Sequence, residues 1–127
     1  MADTCCAEKS NRMIIWCAGA SNVGQMTNRL AVELSEEGYG QRFCLAGIAA
    51  HLSGFVRSVK DAEDMLVLDG CPIACAKNII EHVDAPVKNH LILTELGVEK
   101  KMSSDLDREA LDRVKETIKA ALQAGSA

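Results

Sequence analysis

The sequence has few aromatic side chains and no excess of positive charge. Its 127 residues include one Trp, one Tyr and two Phe, and the formal net charge is -4. Surfaces that bind nucleic acids need basic residues to neutralise phosphates and aromatic rings to stack on bases. We therefore expect no nucleic-acid partner.

The sequence also lacks a long apolar run. A membrane-spanning helix needs about 20 consecutive apolar residues, and the stretch from Met1 to Lys9 lacks the basic and then apolar pattern of a secretory signal. These absences predict a cytoplasmic protein with no membrane partner. In that compartment, the six cysteines of the chain are expected to serve metal binding or redox chemistry rather than disulfides.

The length of the chain predicts one domain with its own hydrophobic core. Residues 1–12 are polar, contain Cys5 and Cys6, and show no hydrophobic period, so we expect a flexible N-terminal tail. Residues 13–127 are expected to form a single α/β domain that binds metal.

Four apolar segments of strand length alternate with helical patterns in that domain. Strands are predicted at residues 13–16, 42–46, 65–68 and 91–93. Helices are predicted from Ser21 or Asn22 to Gly38, through Ile48 and Phe55, from Pro72 to Pro86, and from Ser104 to Leu122, with a charged connection at 57–64. This alternation predicts a three-layer α/β/α fold with a mainly parallel four-stranded sheet. We expect strand order 2-1-3-4, which places strands one and three side by side.

Three cysteines recur at a regular interval near the ends of predicted strands. Cys17, Cys44 and Cys71 are each separated from the next by 27 residues, which is about the length of one strand-and-helix unit. Because the carboxyl ends of parallel strands meet at one edge of the sheet, we expect these thiols to lie at that edge. Cys75 adds a fourth thiol from the helix that follows.

The stretch Asp69-Gly70-Cys71-Pro72-Ile73-Ala74-Cys75 lies where the third strand turns into a helix. Pro72 suits the first helical position, so Cys71 is predicted at the N-cap and Cys75 in the first turn. A helix N-terminus favours thiolate over thiol. Asp69 is predicted to cap this helix or to support a ligand, rather than to act as a base.

Four thiolates are the ligand set of a closed tetrahedral zinc site, and an iron–sulfur cluster accepts the same set. The metal ligands predicted in this way are Cys17, Cys44, Cys71 and Cys75. The alternative is a thiol redox or sulfur-transfer enzyme that uses Cys71 and Cys75, so the sequence leaves enzymatic activity undecided. Cys17 and Cys44 are otherwise explained as small buried side chains at strand ends.

Other polar residues near these cysteines are given ordinary roles. His51, His82 and His90 are expected at surface or satisfied core positions, with His51 a weak ligand candidate because Cys44 is close in sequence. Lys100 and Lys101 follow the fourth strand on the cysteine edge, and we expect them to be solvated.

The Asp69-Gly70-Cys71-Pro72 motif and Cys75, together with Cys17, Gly19, Ser21, Gly24-Gln25 and Cys44, resemble the DGC-domain family, which takes its name from the Asp-Gly-Cys motif. The resemblance covers residues 13–123. It implies a protein that binds zinc through four chelating cysteines, which correspond to Cys17, Cys44, Cys71 and Cys75. It implies no reaction and no substrate, and it gives no role to Cys5 and Cys6.

Overall fold

A computed structural model of the protein describes residues 10–125. Within this range the strands are β1 (Met13–Trp16), β2 (Gln41–Arg42), β3 (Met65–Asp69) and β4 (His90–Ile92). The α-helices are α1 (Asn22–Glu36), α2 (Leu45–Ala49), α3 (Ser53–Asp61), α4 (Cys75–His82) and α5 (Arg108–Gly125), and a 3₁₀ turn spans Leu93–Leu96. None of the helices in this range is both long enough and apolar enough to cross a membrane.

The four strands form one sheet in the order β2-β1-β3-β4. All neighbouring pairs are parallel, and Ile14 of β1 is paired with Leu66 of β3. The predicted α/β class and the predicted strand order are both confirmed. Strands β1 and β3 are the two central strands, which explains why their sequences are continuous apolar runs.

Alternate residues of the central strands face two separate hydrophobic layers, as the period of two in a strand requires. Ile14 packs in a cluster with residues of α1 and α5, including Leu30 and Val114. Ile15 packs in a second cluster with residues of α2, α3 and α4, which include Ile48, Val59 and Ile80. The helices therefore cover both faces of the sheet, which gives the predicted three layers.

The region after β1 and α1 departs from the prediction. Strand β2 covers two residues instead of the predicted 42–46, and Cys44 is the N-cap of α2 rather than a strand residue. The single predicted helix is divided into α2 and α3, and α3 occupies much of the predicted charged connection. The break occurs where His51 adopts a left-handed backbone with φ of 60°, which a right-handed helix does not accommodate.

The helix after the Asp-Gly-Cys motif begins at Cys75, three residues later than Pro72 predicts. The intervening residues form a turn in which the Ala74 amide donates to the Cys71 carbonyl at 3.0 Å. Ala74 is in the left-handed conformation with φ of 57°. Cys71 therefore does not cap the helix, and Cys75 is its first residue.

Two further boundaries differ from the prediction. Strand β4 ends at Ile92, and Leu93, a predicted strand residue, begins the 3₁₀ turn. Helix α5 begins at Arg108, because Asp107 accepts a capping hydrogen bond from the Ala110 amide at 3.1 Å. Ser104, the predicted start, lies four residues before this helix.

The predicted tail of residues 1–12 lies mostly outside the described residues, as do Cys5 and Cys6. In the described part, Arg12 donates to the Asp64 carboxylate at 3.0 Å and to the Tyr39 carbonyl at 2.9 Å. These contacts fix residue 12 beside the amino ends of β1 and β3.

Candidate metal centre

The carboxyl ends of the two central strands bring Cys17 beside the Asp-Gly-Cys motif. Cys17 directly follows β1, and its amide donates to the Leu68 carbonyl of β3 at 3.1 Å. Asp69 is the last residue of β3, and Gly70 and Cys71 follow it. Residues more than 50 positions apart in the sequence therefore meet at one edge of the sheet.

Three of the four predicted ligands line one cavity at this edge. Cys17, Cys71 and Cys75 border a cavity of about 210 Å³, and Lys100 and Met102 border it from the segment after the 3₁₀ turn. Cys17 and Cys71 are half-buried, whereas Cys75 is exposed. The cavity is therefore lined by three thiols and is open to solvent.

Cys44 lies on a neighbouring cavity. This second cavity of about 400 Å³ is bordered by Cys44 and also by Cys17. Cys44 is exposed, and it is not disulfide-bonded, nor are the other three cysteines of the described range. Cys17 therefore borders both the three-thiol cavity and the cavity of the fourth predicted ligand.

The donor set of the three-thiol cavity suits a thiophilic ion, but the described side chains are not assembled around one point. Among residues 10–125, no group of three or more His, Cys, Asp or Glu side chains is arranged to hold a metal ion. Soft thiolate donors suit zinc, Cu(I) and iron–sulfur clusters. The chemistry of the donors therefore fits such an ion, and binding would require the cysteine side chains, those of the three-thiol cavity included, to converge on one point.

Helix α1 fixes the loop that carries Cys17. The hydroxyl of Thr27 is fully buried, donates to the Gly24 carbonyl at 2.6 Å and accepts from the Ala18 amide at 3.2 Å. The same oxygen is 3.7 Å from the Cys17 sulfur. These bonds hold the turn after Cys17, in which Ala18 has a φ of 51°.

Glycines allow three backbone segments to meet beside the cavity. A Cβ atom on Gly70 would lie 2.8 Å from the backbone nitrogen of Gly24 and equally close to the carbonyl carbon of Val23. A Cβ atom on Gly24 would lie 2.5 Å from the Gly19 carbonyl. The glycine of the Asp-Gly-Cys motif is therefore required because the N-terminus of α1 packs directly against it.

The Asp69 side chain caps the first turn of α4, although Asp69 lies six residues before that helix begins. Its carboxylate is 1% exposed and accepts from the Ala76 amide at 2.8 Å and the Lys77 amide at 3.1 Å. The Nε2 atom of His90 is 2.8 Å from the same carboxylate. Asp69 thus caps the helix, as predicted, and it also connects β3, β4 and α4.

The other two histidines lie away from the cysteine cavities. The rings of His51 and His82 pack edge to face with centroids 5.1 Å apart. Neither residue borders the cavity of Cys71 or the cavity of Cys44. His90 occupies a satisfied position, as predicted, because it pairs with Asp69.

Lys100 contacts a cysteine, although the sequence predicts that it is solvated. Its ammonium donates to the Cys71 sulfur at 3.4 Å, while the Lys100 residue as a whole remains exposed. No local pattern signals this contact, since the two residues are 29 positions apart. The sequence patterns also assign no role to Thr27, but a threonine within the apolar stripe of α1 is a signal that could have found it.

Comparison with known proteins identifies relatives at the level of sequence. The family model described as the DGC domain matches residues 13–118. A curated protein of Pseudomonas aeruginosa, "Anaerobic and virulence modulator AnvM", is 30% identical over 102 residues, which is 80% of this chain and 78% of that protein. No solved structure matches the chain.

Proposed function

Because this chain belongs to the DGC-domain family, we propose that it binds one metal ion, zinc, through cysteine thiolates at the carboxyl edge of its sheet. The proposed ligands are Cys17, Cys71 and Cys75, with Cys44 as the fourth. The observation that carries the proposal is the shared cavity of the first three thiols.

The chemistry of the donors supports zinc. Structural zinc sites are tetrahedral, and four cysteines are one of their common ligand sets. Three ligands come from two adjacent strand ends and the first residue of a helix. For the fourth ligand, the exposed side chain of Cys44 at the N-cap of α2 would turn toward Cys17, with which it shares a cavity.

A site with four thiolates favours a binding or regulatory role over hydrolysis. Catalytic zinc keeps an open position for water, whereas four protein ligands fill the coordination sphere. The name of the Pseudomonas aeruginosa relative, a modulator, likewise describes regulation and no reaction. We therefore propose a binding or regulatory role for the zinc site.

The test of this proposal is the metal content of purified protein. We expect about one zinc per chain by mass spectrometry, and we expect the double variant Cys71→Ser/Cys75→Ser to lose it. Both side chains are at least partly exposed, so the variant should fold, which circular dichroism checks. The matched control is Cys5→Ser/Cys6→Ser, which removes two thiols outside the family pattern and should keep full occupancy.

The single variant Cys44→Ser tests the fourth ligand. If Cys44 completes the site, this variant should bind zinc more weakly than wild type but more tightly than Cys71→Ser. Full zinc occupancy in Cys71→Ser/Cys75→Ser would refute the assignment. If anaerobically purified protein contains iron and sulfide and no zinc, the site is assigned to an iron–sulfur cluster instead.

A second candidate function is thiol–disulfide exchange, which the contact between Lys100 and Cys71 favours. In this reaction Cys71 attacks a substrate disulfide and releases one thiolate, and Cys75 then attacks the mixed disulfide. The products are the reduced substrate and a Cys71–Cys75 disulfide.

Iodoacetamide labelling separates the two functions. Zinc-bound thiolates should be protected until a chelator removes the ion, and then all four should become modifiable together. Rapid labelling of Cys71 alone in zinc-loaded protein would favour the exchange reaction.

A further inference from the structure

Residues 99–101 form a short strap that is attached to the start of α1. The side-chain amide of Asn22 donates to the Glu99 carbonyl at 2.8 Å and accepts from the Lys101 amide at 2.5 Å. The Asn22 backbone amide donates to the Lys101 carbonyl at 2.8 Å. One asparagine therefore holds the residues on both sides of Lys100.

This attachment fixes the backbone from which the Lys100 side chain extends. With its two neighbours fixed to Asn22, Lys100 borders the three-thiol cavity, and its ammonium donates to the Cys71 sulfur at 3.4 Å. The helix cap is provided by Ser21, whose hydroxyl accepts from the Gly24 amide, so Asn22 is not needed as a cap. Its side chain is used on the strap instead.

We propose that Lys100, positioned by Asn22, is the charge partner of the metal-bound thiolates and determines how tightly the site holds a divalent ion. The inference rests on the proposed zinc function. Lys100 is a positioning and charge-compensating residue here and is not itself a ligand.

The charge of the site explains the need for such a partner. Four thiolates around Zn²⁺ leave a net charge of -2, and a partly buried charge is unfavourable unless it is compensated. Asp69, another charged residue that borders the cavity, is negative and is already engaged by two amides and His90. The ammonium of Lys100 contacts the sulfur of the proposed ligand Cys71, and N–H···S bonds to metal-bound thiolates stabilise them.

The test compares three lysine variants of the full chain. Lys100→Met removes the charge and keeps an apolar side chain of similar length, and it should weaken zinc binding about tenfold in competition with a chromophoric chelator. Lys100→Arg should restore most of the affinity. Lys101→Met, which removes a neighbouring exposed charge, should bind zinc like wild type.

A spectroscopic measurement separates charge compensation from a merely structural role. The Co²⁺-substituted protein should show sulfur-to-metal charge-transfer absorption, and its energy depends on hydrogen bonding to the thiolates. Lys100→Met should shift this band, whereas Lys101→Met should not. The thermal stability of both metal-free variants should equal that of wild type.

A double-mutant cycle tests the role of Asn22. Asn22→Ala should weaken zinc binding in the wild-type background, because the strap is released, but it should have little further effect when Lys100 is already Met. If the losses of zinc affinity in Asn22→Ala and Lys100→Met are additive in the double variant, Asn22 does not act by positioning Lys100.

The two ways in which the experiments could fail are distinguishable. A wild-type chain that binds neither Zn²⁺ nor Co²⁺ would overturn the proposed function and this inference together. A wild type that binds zinc, with Lys100→Met unchanged in both affinity and Co²⁺ spectrum, would overturn this inference alone.

Discussion

The two ends of the sheet are built from different chemistry. At the amino end, charged and amide side chains pair with one another and with backbone carbonyls. At the carboxyl end, the central strands are followed by thiols, whose contacts are longer and weaker. The same two strands, β1 and β3, therefore terminate in a closed polar network at one end and in a soft-donor cavity at the other.

The polar network of the amino end is saturated by its own residues. Asp64 accepts from Arg12 at 3.0 Å, from Asn89 at 3.1 Å and from the Met65 amide at 2.9 Å. Lys88 donates to the carbonyls of Ala62 and Glu63. These hydrogen bonds are all made within the fold, which is typical of a structural role.

At the carboxyl end, the residues that hold the backbone are different from the residues that carry the sulfurs. Asp69, Thr27 and the glycines form short, well-directed contacts that fix the backbone. The sulfur of Cys17 has a contact of 3.7 Å, and that of Cys71 has one of 3.4 Å. Thiols are weak hydrogen-bond partners, so these contacts engage the sulfurs only weakly within the fold. The comparison shows that a rigid frame carries chemically available sulfurs.

The largest expected change in stability comes from replacing one aspartate at each end of the sheet by alanine. Asp69→Ala leaves two amides of α4 and His90 without their buried acceptor and should lower the free energy of unfolding by about 3 kcal/mol. Asp64→Ala removes a partly exposed acceptor and should cost about 1 kcal/mol. Urea denaturation measures both changes.

The zinc content of the same two variants tests whether the two ends of the sheet differ in function. Asp69→Ala should also lower zinc occupancy, because the first turn of α4 carries Cys75, whereas Asp64→Ala should leave occupancy unchanged. Equal zinc loss in both variants would show that the two ends are not functionally separate.

A smaller effect is expected from adding a methyl group to glycines in two environments. Gly70→Ala places a Cβ atom 2.8 Å from the backbone of α1, and the forced backbone shift should cost about 2 kcal/mol. A Cβ atom added to Gly54 of α3 would meet no other atom within 4 Å, so Gly54→Ala should stabilise the helix by about 0.5 kcal/mol. Thermal denaturation should therefore show shifts of opposite sign, and a neutral Gly70→Ala would contradict the close packing described above.

A smaller destabilisation than that of Gly70→Ala is expected in a third region, the ion-pair network between α1 and α5. Hydrogen bonds from Arg108, together with Lys115, lower the pKa of Glu33 from 4.5 to about 2 against the opposing effect of burial. A carboxyl group with a lowered pKa contributes stability above its unfolded pKa, and this contribution is lost as pH falls toward the folded value. Glu33→Gln should therefore be less stable than wild type by about 1 kcal/mol at about pH 6.

The difference between Glu33→Gln and wild type should shrink as pH falls from about 4.5 to about 2. Glu36→Gln, which changes an exposed carboxylate of the same helix, is the control and should stay close to wild type at about pH 6. A pH-independent difference for Glu33→Gln would assign its effect to packing instead of charge.

The parts of the fold that are predicted correctly depend on local patterns. Met13–Trp16 and Met65–Asp69 are continuous apolar runs, and this pattern is typical of central parallel strands. The boundary errors occur where distant groups compete with local preference. Pro72 fits a helix start. However, the Asp69 carboxylate accepts a hydrogen bond from the Ala76 amide, and the helix begins at Cys75 instead.

The sequence by itself determined the layered fold and the arrival of Cys17 and Cys71 at the carboxyl edge, because strand burial and the alternation of strands with helices are encoded in hydrophobic period and spacing. The expected strand order 2-1-3-4 is not encoded in that period, and the tertiary structure decided it. Only the tertiary structure decided that Cys44 borders a separate cavity and that Lys100 contacts Cys71. These two features depend on where α2 begins and on how Asn22 holds residues 99–101. Such contacts join residues tens of positions apart, and no local periodicity records them.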